Sequence, residues 1–409
     1  MKGRLLTVLV ILGIGILGVW WYLEFKSRKA PPPPALPIGA PKAPEPAPPL
    51  LPQVIKIGAV LPLTGASEVQ GQKAKRGLEL AAARAEQALG LKVELLIEDD
   101  KSDPSEAENL IRKQVLEENV LAVITGAVKE ETAAGHLAQE LSVPIILLNN
   151  SDEALLAESS YLFGLGLAPE DEAAAAARFA VSTLGLKYAG VLVDIKDARL
   201  RNAATRAREA FETAGGEVRS QVACVSGDED FSGQIKRIKA RGAQVLFVLA
   251  NADEGAKIIP LARKANLHIP IIATSRMMGP QMSGLGKEIL GQCFITDYFG
   301  PEEEREAFVS LQQSLGEVEL TDTLALAYDA FSLVVQALKA VSVPTRENLA
   351  SGLAAIRDFP GATGNLSFKG TGAVMRDIAV MQIGGEIEAR ISPSSVPPEA
   401  PAPAEIELP

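Results

Sequence analysis

Two histidines, two cysteines and two acidic connectors, "EDDKSDP" and "SGDEDFS", are what this sequence offers to chemistry. His136 and His268 are its only imidazoles, and they stand far apart, so no histidine-based triad or zinc set can be assembled. The acidic connector "EDDKSDP", residues 98–104, has the oxygens of a cation loop. Yet Asp103 before Pro104, with Glu106 three residues on, is also the pattern of a helix N-cap, a proline at the first helical position and a capping-box acid. The cap accounts for the acids without a metal. "GLGKE", around Lys287, lacks the spacing of a phosphate loop and follows no suitable strand. With no nucleophile–base pair and no metal set, neither an enzyme nor a cofactor is expected, and the remaining chemistry is recognition.

The elements that would position such recognition alternate along the chain. Short apolar runs, "VIKIGAVL", "KVELLIE", "VLAVITG" and "PIILLNN", are separated by helical stretches at 73–89, 104–117 and 131–141. In the second of these, Ala107, Leu110, Ile111, Gln114 and Val115 fall on one helical face. The pattern restarts with "YAGVLVDI", a helix at 198–213, "EVRSQVACV", a helix at 231–239, "AQVLFVLAN", a helix at 253–265, "IPIIATS" and "GQCFITDYF". Alternation of this kind predicts parallel sheets covered by helices. A single closed barrel has no reason to restart after "YLFGLGLAPEDE", so the reading is two similar α/β lobes. Helices near 302–315, 321–341 and 345–357 follow, then short strands around "GNLSF" and "IAVMQIG".

The ends differ from this body. Leu5 to Leu23 carries no charge and, at about 1.5 Å per residue, spans roughly 28 Å, close to the apolar thickness of a bilayer. Basic residues flank it, and Trp20, Trp21 and Tyr22 stand where an interfacial belt belongs. Residues 1–29 read as a transmembrane signal anchor; a cleaved secretory signal is the rival, usually shorter and ending in a small-x-small site. Neither Cys224 nor Cys293 is near enough to be acylated. The Pro/Ala-rich linker at 30–53 and the Pro-rich tail at 392–409 cannot form a core. A net charge of −11, with no basic cluster past the first thirty residues, argues against nucleic acid as a partner.

Across residues 54–390 the fragments "IKIGAVLPLTG", "EDDKSDPSEA", "VLAVITGA", "VPIILLNN", "DFSGQIKRIKARGAQVLFV" and "TLALAYDAFSLVVQAL", in this order and spacing, resemble type I periplasmic binding proteins of the leucine/isoleucine/valine-binding branch. The resemblance implies two doubly wound α/β/α lobes, residues 54–165 plus 299–363 and 166–298 plus 364–391. Three crossover strands near 163–168, 296–300 and 363–372 would join them, with a ligand gripped between the lobes by hinge closure. Open α/β sheets bind at the carboxyl ends of their strands, so the loop 62–70 would wall the cleft, with Gly65 and Gly71 admitting a ligand or the facing lobe. Cys224 and Cys293 would lie toward opposite edges of one sheet, as free thiols.

Amino-acid-binding members of that family hold the ligand with small hydroxyl residues and aromatics, and this sequence departs from them. Lys129 stands at the usual serine of the third loop and Glu130 follows it. Asn150 and Ser151 fall near the usual small residues of the fourth loop, with Asp152 at the usual threonine. Gln70, Ala198 and Asn251 or Ala252 replace aromatics. Ser275 and Arg276 lie where a ligand contact falls, Arg276 offering a fork for a carboxylate. Asp194 ends a strand, with a ligand contact and the binding of loop amides both open to it. Three readings stay open: Lys129 and Asp152 meet a charged ligand, pair with each other in a degenerate pocket, or are simply solvated. The corresponding functions are a membrane-tethered solute-binding protein taking a small polar, amino-acid-like ligand to an ABC permease, or a regulatory partner of envelope proteins reusing the fold.

Overall fold

The computed structural model describes residues 54–126, 131–299, 304–318, 320–383 and 387–391. The expected anchor, linker and tail, and Lys129 and Glu130, lie outside the described residues.

Runs rich in Val, Ile and Leu form strands buried on both faces, as parallel sheets require. The first sheet holds β1 (Val54–Leu61), β2 (Lys92–Asp99), β3 (Val123–Thr125), β4 (Ile145–Leu147) and β5 (Leu162–Gly164), ordered β2-β1-β3-β4-β5. Every pairing in it is parallel. The second sheet repeats that order with β6 (Tyr188–Asp194), β7 (Glu217–Cys224), β8 (Val245–Leu249), β9 (Ile271–Ala273) and β10 (Cys293–Asp297). Two antiparallel strands extend its edge, β14 (Ile378–Gln382) and β15 (Ile387–Ile391). A small antiparallel sheet of β11 (Phe359–Gly361), β12 (Gly364–Phe368) and β13 (Val374–Met375) carries the "GNLSF" stretch. In both large sheets the strand order reverses at the first strand of the lobe, the position at which doubly wound folds open a crevice.

The apolar stripe of helix Pro104–Leu116 is buried at Ala107, Ile111, Gln114 and Val115, with Leu110 only partly covered. Asp103 caps this helix by accepting from the Ser105 amide at 2.9 Å. The capping-box half of the expectation is corrected: Glu106 pairs with Lys101 at 3.0 Å, and the Asp103 amide donates to the Asp100 carbonyl. Helix Asp322–Ala340 lies against helix Glu68–Leu89, and helix Arg346–Ala354 adds Leu349 and Leu353 to the same core beneath the first sheet. Cys224 and Cys293 are buried and unbonded to each other, with β6, β8 and β9 between their strands.

One long helix escaped the periodicity reading. Pro169–Ser182 reads "PEDEAAAAARFAVS", and its buried positions are mostly alanines, so no stripe of large apolar residues marks it. It packs on helix Ala198–Thr213 and the second sheet. Its signal was Pro169 at the first helical position followed by three acids in the first turn, which the positive end of a helix favours.

Candidate functional site

The loop after β1 is tied down by the acidic connector. Asp99 accepts from the amides of Leu63 at 2.9 Å and Thr64 at 3.1 Å, and from the Thr64 hydroxyl at 2.7 Å. Ser102 completes the joint, donating to the Thr64 carbonyl at 2.9 Å and accepting from the Ser67 amide at 3.1 Å. The expectation for Gly65 and Gly71 is corrected here. Their close approaches are within the first lobe: a Cβ on Gly65 would sit 2.5 Å from the Lys101 carbonyl oxygen, and one on Gly71 2.0 Å from that of Pro62. Because Gly65 also has φ +88°, Gly65→Ala is expected to cost about 1–3 kcal/mol, read as a lower urea midpoint. Helix Glu68–Leu89 starts earlier than the predicted 73, so Gln70 lies exposed in its first turn.

After β4, Asn150 Oδ1 accepts from the Asp152 amide at 2.8 Å. Asp152 Oδ1 then accepts from the amides of Ala154 at 2.9 Å and Leu155 at 3.3 Å, capping the short helix Glu153–Leu156. Ser151 is buried; its hydroxyl donates to the Leu167 carbonyl at 2.9 Å and accepts from Arg199 Nη2 at 3.0 Å. Arg199 comes from the first turn of helix Ala198–Thr213, so this bond runs from one lobe to the other.

At the carboxyl ends of the second sheet, Asp194 binds loop groups: the amides of Lys196 at 3.0 Å and Ser226 at 3.3 Å, and the Ser226 hydroxyl. Arg276 donates to Asp197 Oδ2 at 2.9 Å and Asn251 Oδ1 at 3.1 Å, so its fork meets a neighbouring helix cap. The Ser275 amide donates to Glu172 Oε1 at 2.7 Å, and the Thr296 hydroxyl donates to the same oxygen at 2.8 Å. Burial pushes the Glu172 carboxyl above its ordinary range, against these hydrogen bonds.

Between the lobes lies a cavity of about 460 Å³. Ser151, Asp152 and Glu153 line it from the first lobe, and Arg199, Asn202 and Arg206 from the second. The latter three recur at helical spacing on one face of helix Ala198–Thr213. The start of helix Pro169–Ser182 adds Glu170 and Asp171, and the turn after β12 adds Lys369. Lys369 bonds Glu153 and reaches Asp171 at 3.4 Å. These two acids outweigh the effect of burial and raise its pKa. Arg206 meets Glu209 at 3.2 Å. Burial raises the pKa of Glu170, with Arg199 in Coulombic reach opposing the shift. Of the predicted residues, Ser151 and Asp152 border this space; Asn251 and Arg276 join the neighbouring Asp197 cluster, and Ser275 bonds Glu172 through its amide. The cavity's other charged residues escaped the sequence reading. Ala198 was singled out as a lost aromatic, while the side chain that crosses to the first lobe is the next one.

Comparisons with known proteins agree with this geometry. A family model described as periplasmic binding protein matches residues 54–386. A Leu/Ile/Val-binding protein homolog 6 of Brucella suis biovar 1 is 26% identical over 204 residues, 49% of this chain and 52% of that protein. The chain therefore spans about half the length of the curated relatives it matches. The solved leucine binding protein of Thermotoga maritima MSB8 is similar with a TM-score of 0.66 at 25% identity, covering 84% of this chain and 100% of that one. An ABC transporter solute binding protein from R. palustris, solved with 4-hydroxybenzoate, gives a TM-score of 0.61 at 21% identity over 83% of this chain and 96% of its own, a likeness of fold alone.

Proposed function

Because this chain belongs to the periplasmic binding protein family, whose members are binding proteins rather than enzymes, we propose that it is a solute-binding protein of the ABC-importer type. It works outside the cytoplasm, tethered to the cytoplasmic membrane by residues 1–29, and delivers its cargo to a permease. Its ligand is small and polar, an amino acid or a related compound, held in the inter-lobe cavity by hinge closure and released on opening. The observation that carries this reading is the Arg199 to Ser151 bond, joining the lobes beside a cavity lined largely by charged and hydroxyl side chains. Its volume is within the range of small-molecule sites. Asn150, Ser151 and Asp152 serve on the first lobe with Gln70, Lys129 and Glu130. Asn251, Ser275 and Arg276 serve on the second. Calorimetric titration of the full chain in detergent with amino acids, short peptides and organic anions tests it. Saturable heat from one class is the expected result, and no heat with no change in melting temperature across all three refutes it.

A second reading is favoured by one feature: Arg276 and Asp152, two of the charges the sequence offers to a ligand, are both engaged by the protein itself, Asp152 through Oδ1. On that reading the fold serves an envelope protein as a regulatory partner. Crosslinking in the envelope separates the two, since recovery of a permease supports transport and recovery of a cell-wall enzyme or signalling protein supports regulation.

A further inference from the structure

Resting on the inter-lobe cavity as the solute site, we propose that it selects a zwitterion bearing a surplus positive charge, a dibasic amino acid, with Arg199 binding the carboxylate and Glu170 and Asp152 the two cationic groups. The charges lining the cavity decide this. Four carboxylates, Asp152, Glu153, Glu170 and Asp171, face three cations, Arg199, Arg206 and Lys369. Lys369 is engaged by Glu153 and Asp171, and Arg206 by Glu209 outside the lining. Among the described residues, the four carboxylates then face two cations, Lys369 and Arg199, a net charge of −2; Glu170 and Asp152 have no ion-pair partner, and Arg199 is the cation held by a neutral group.

Arg199 has a neutral partner in Ser151 and uses one of its five N–H donors there. The others are available to a carboxylate, for which a guanidinium fork is well shaped. Among the described residues no cation forms an ion pair with Glu170, although it is half-buried. Arg199 reaches Glu170 only through space, so this half-buried carboxylate gains from a ligand ammonium in direct contact as the lobes close. Asp152 commits Oδ1 to the amides of Ala154 and Leu155, and no hydrogen bond occupies its Oδ2 among the described residues. A ligand with one carboxylate and two cations gives each of these three groups a partner and brings the net charge of the lining from −2 to −1. A neutral zwitterion leaves one carboxylate unmatched, and an acidic amino acid adds repulsion.

The test is calorimetric titration of the full chain in detergent at pH 7 and low salt with L-lysine, L-leucine, L-glutamate and cadaverine, which is L-lysine without its carboxylate. L-lysine is expected to bind at least tenfold tighter than L-leucine or cadaverine, and L-glutamate to give no heat. Glu170→Gln should bring L-lysine to the level of L-leucine. Arg199→Met should weaken L-lysine at least tenfold and so remove its advantage over cadaverine, with Arg199→Lys intermediate; unaltered melting temperatures exclude misfolding. Should L-leucine or L-glutamate bind as tightly as L-lysine, or Glu170→Gln leave the ratio intact, this charge selection is overturned while the solute site stands. Binding by none of the four overturns the selection as well, and wider failure across amino acids, peptides and organic anions removes the solute site itself.

Discussion

Replacing Asp329 by Ala is expected to lower the stability of the chain by about 3–5 kcal/mol, the cost of stripping the partner from a buried charged network. Asp329 has no exposed surface. Its carboxylate accepts from the amides of Ala362 and Thr363, both at 2.8 Å, and from the Thr363 hydroxyl at 2.6 Å. Arg376 donates to that same hydroxyl oxygen at 2.6 Å and to the Leu165 carbonyl. Its guanidinium lies 4.9 Å from the centre of the Tyr298 ring, and the Tyr298 hydroxyl accepts from the Leu167 amide at 3.0 Å.

Leu165 and Leu167, Tyr298 and Thr363 come from three separate stretches of the chain, which a single buried network anchored on helix Asp322–Ala340 ties together. Burial pushes the Asp329 carboxyl up, in spite of the Thr363 and Ala362 hydrogen bonds and the nearby Arg376. An alanine strands the three donors in either protonation state of the acid. By contrast, Lys369→Met breaks part-exposed ion pairs, for which about 0–1 kcal/mol is usual. Urea unfolding of the two variants side by side checks the ranking. A loss below about 1 kcal/mol for Asp329→Ala would mean the three stretches are held by packing alone.

What the sequence makes legible follows from the range of each interaction. Strands announce themselves as β-branched runs, and Ala198–Thr213 is bounded by the strand runs legible on either side of it, although its buried face is also largely alanine, with Leu200 and Phe211 as its large apolar residues. Pro169–Ser182 buries alanines, which carry little periodic signal, and it was missed along with Glu170 and Asp171. The antiparallel edge strand β15 was missed, although its partner β14 was legible as "IAVMQIG", because its place is defined by that tertiary pairing. The same limit applies at the site. That a charged or polar residue stands at 151, 152 or 276 is readable from the chain. That Arg276 turns to Asp197 and Arg199 crosses to Ser151 depends on where two helix N-termini are brought by the sheet order, which no local pattern encodes.

Asp297→Asn is expected to stabilise the chain at pH 8 by about 1–3 kcal/mol and to lose that advantage as the pH falls toward 4. Asp297 ends β10 in the second lobe and Asp322 opens helix Asp322–Ala340 in the first. Burial raises the pKa of both carboxyls, and the charge of Asp322 raises that of Asp297 further, with Glu172 adding to it. Lys73 offsets the burial of Asp322 and no cation does so for Asp297, so the proton that the pair retains belongs on Asp297. A carboxyl whose folded-state pKa is raised binds its proton more tightly folded than unfolded. Its stabilising protonation is lost as pH rises through the folded value, and the full penalty stands above it. Below the ordinary aspartate range both states are protonated and the difference vanishes. Other carboxyls in the chain are shifted downward, as Asp230 is by its hydrogen bonds with Ser232, and contribute the opposite slope. The measurement is therefore the difference between variant and parent melting temperatures from pH 4 to 8. A difference that is flat across this range would show that burial and the charge of Asp322 do not hold a proton on Asp297.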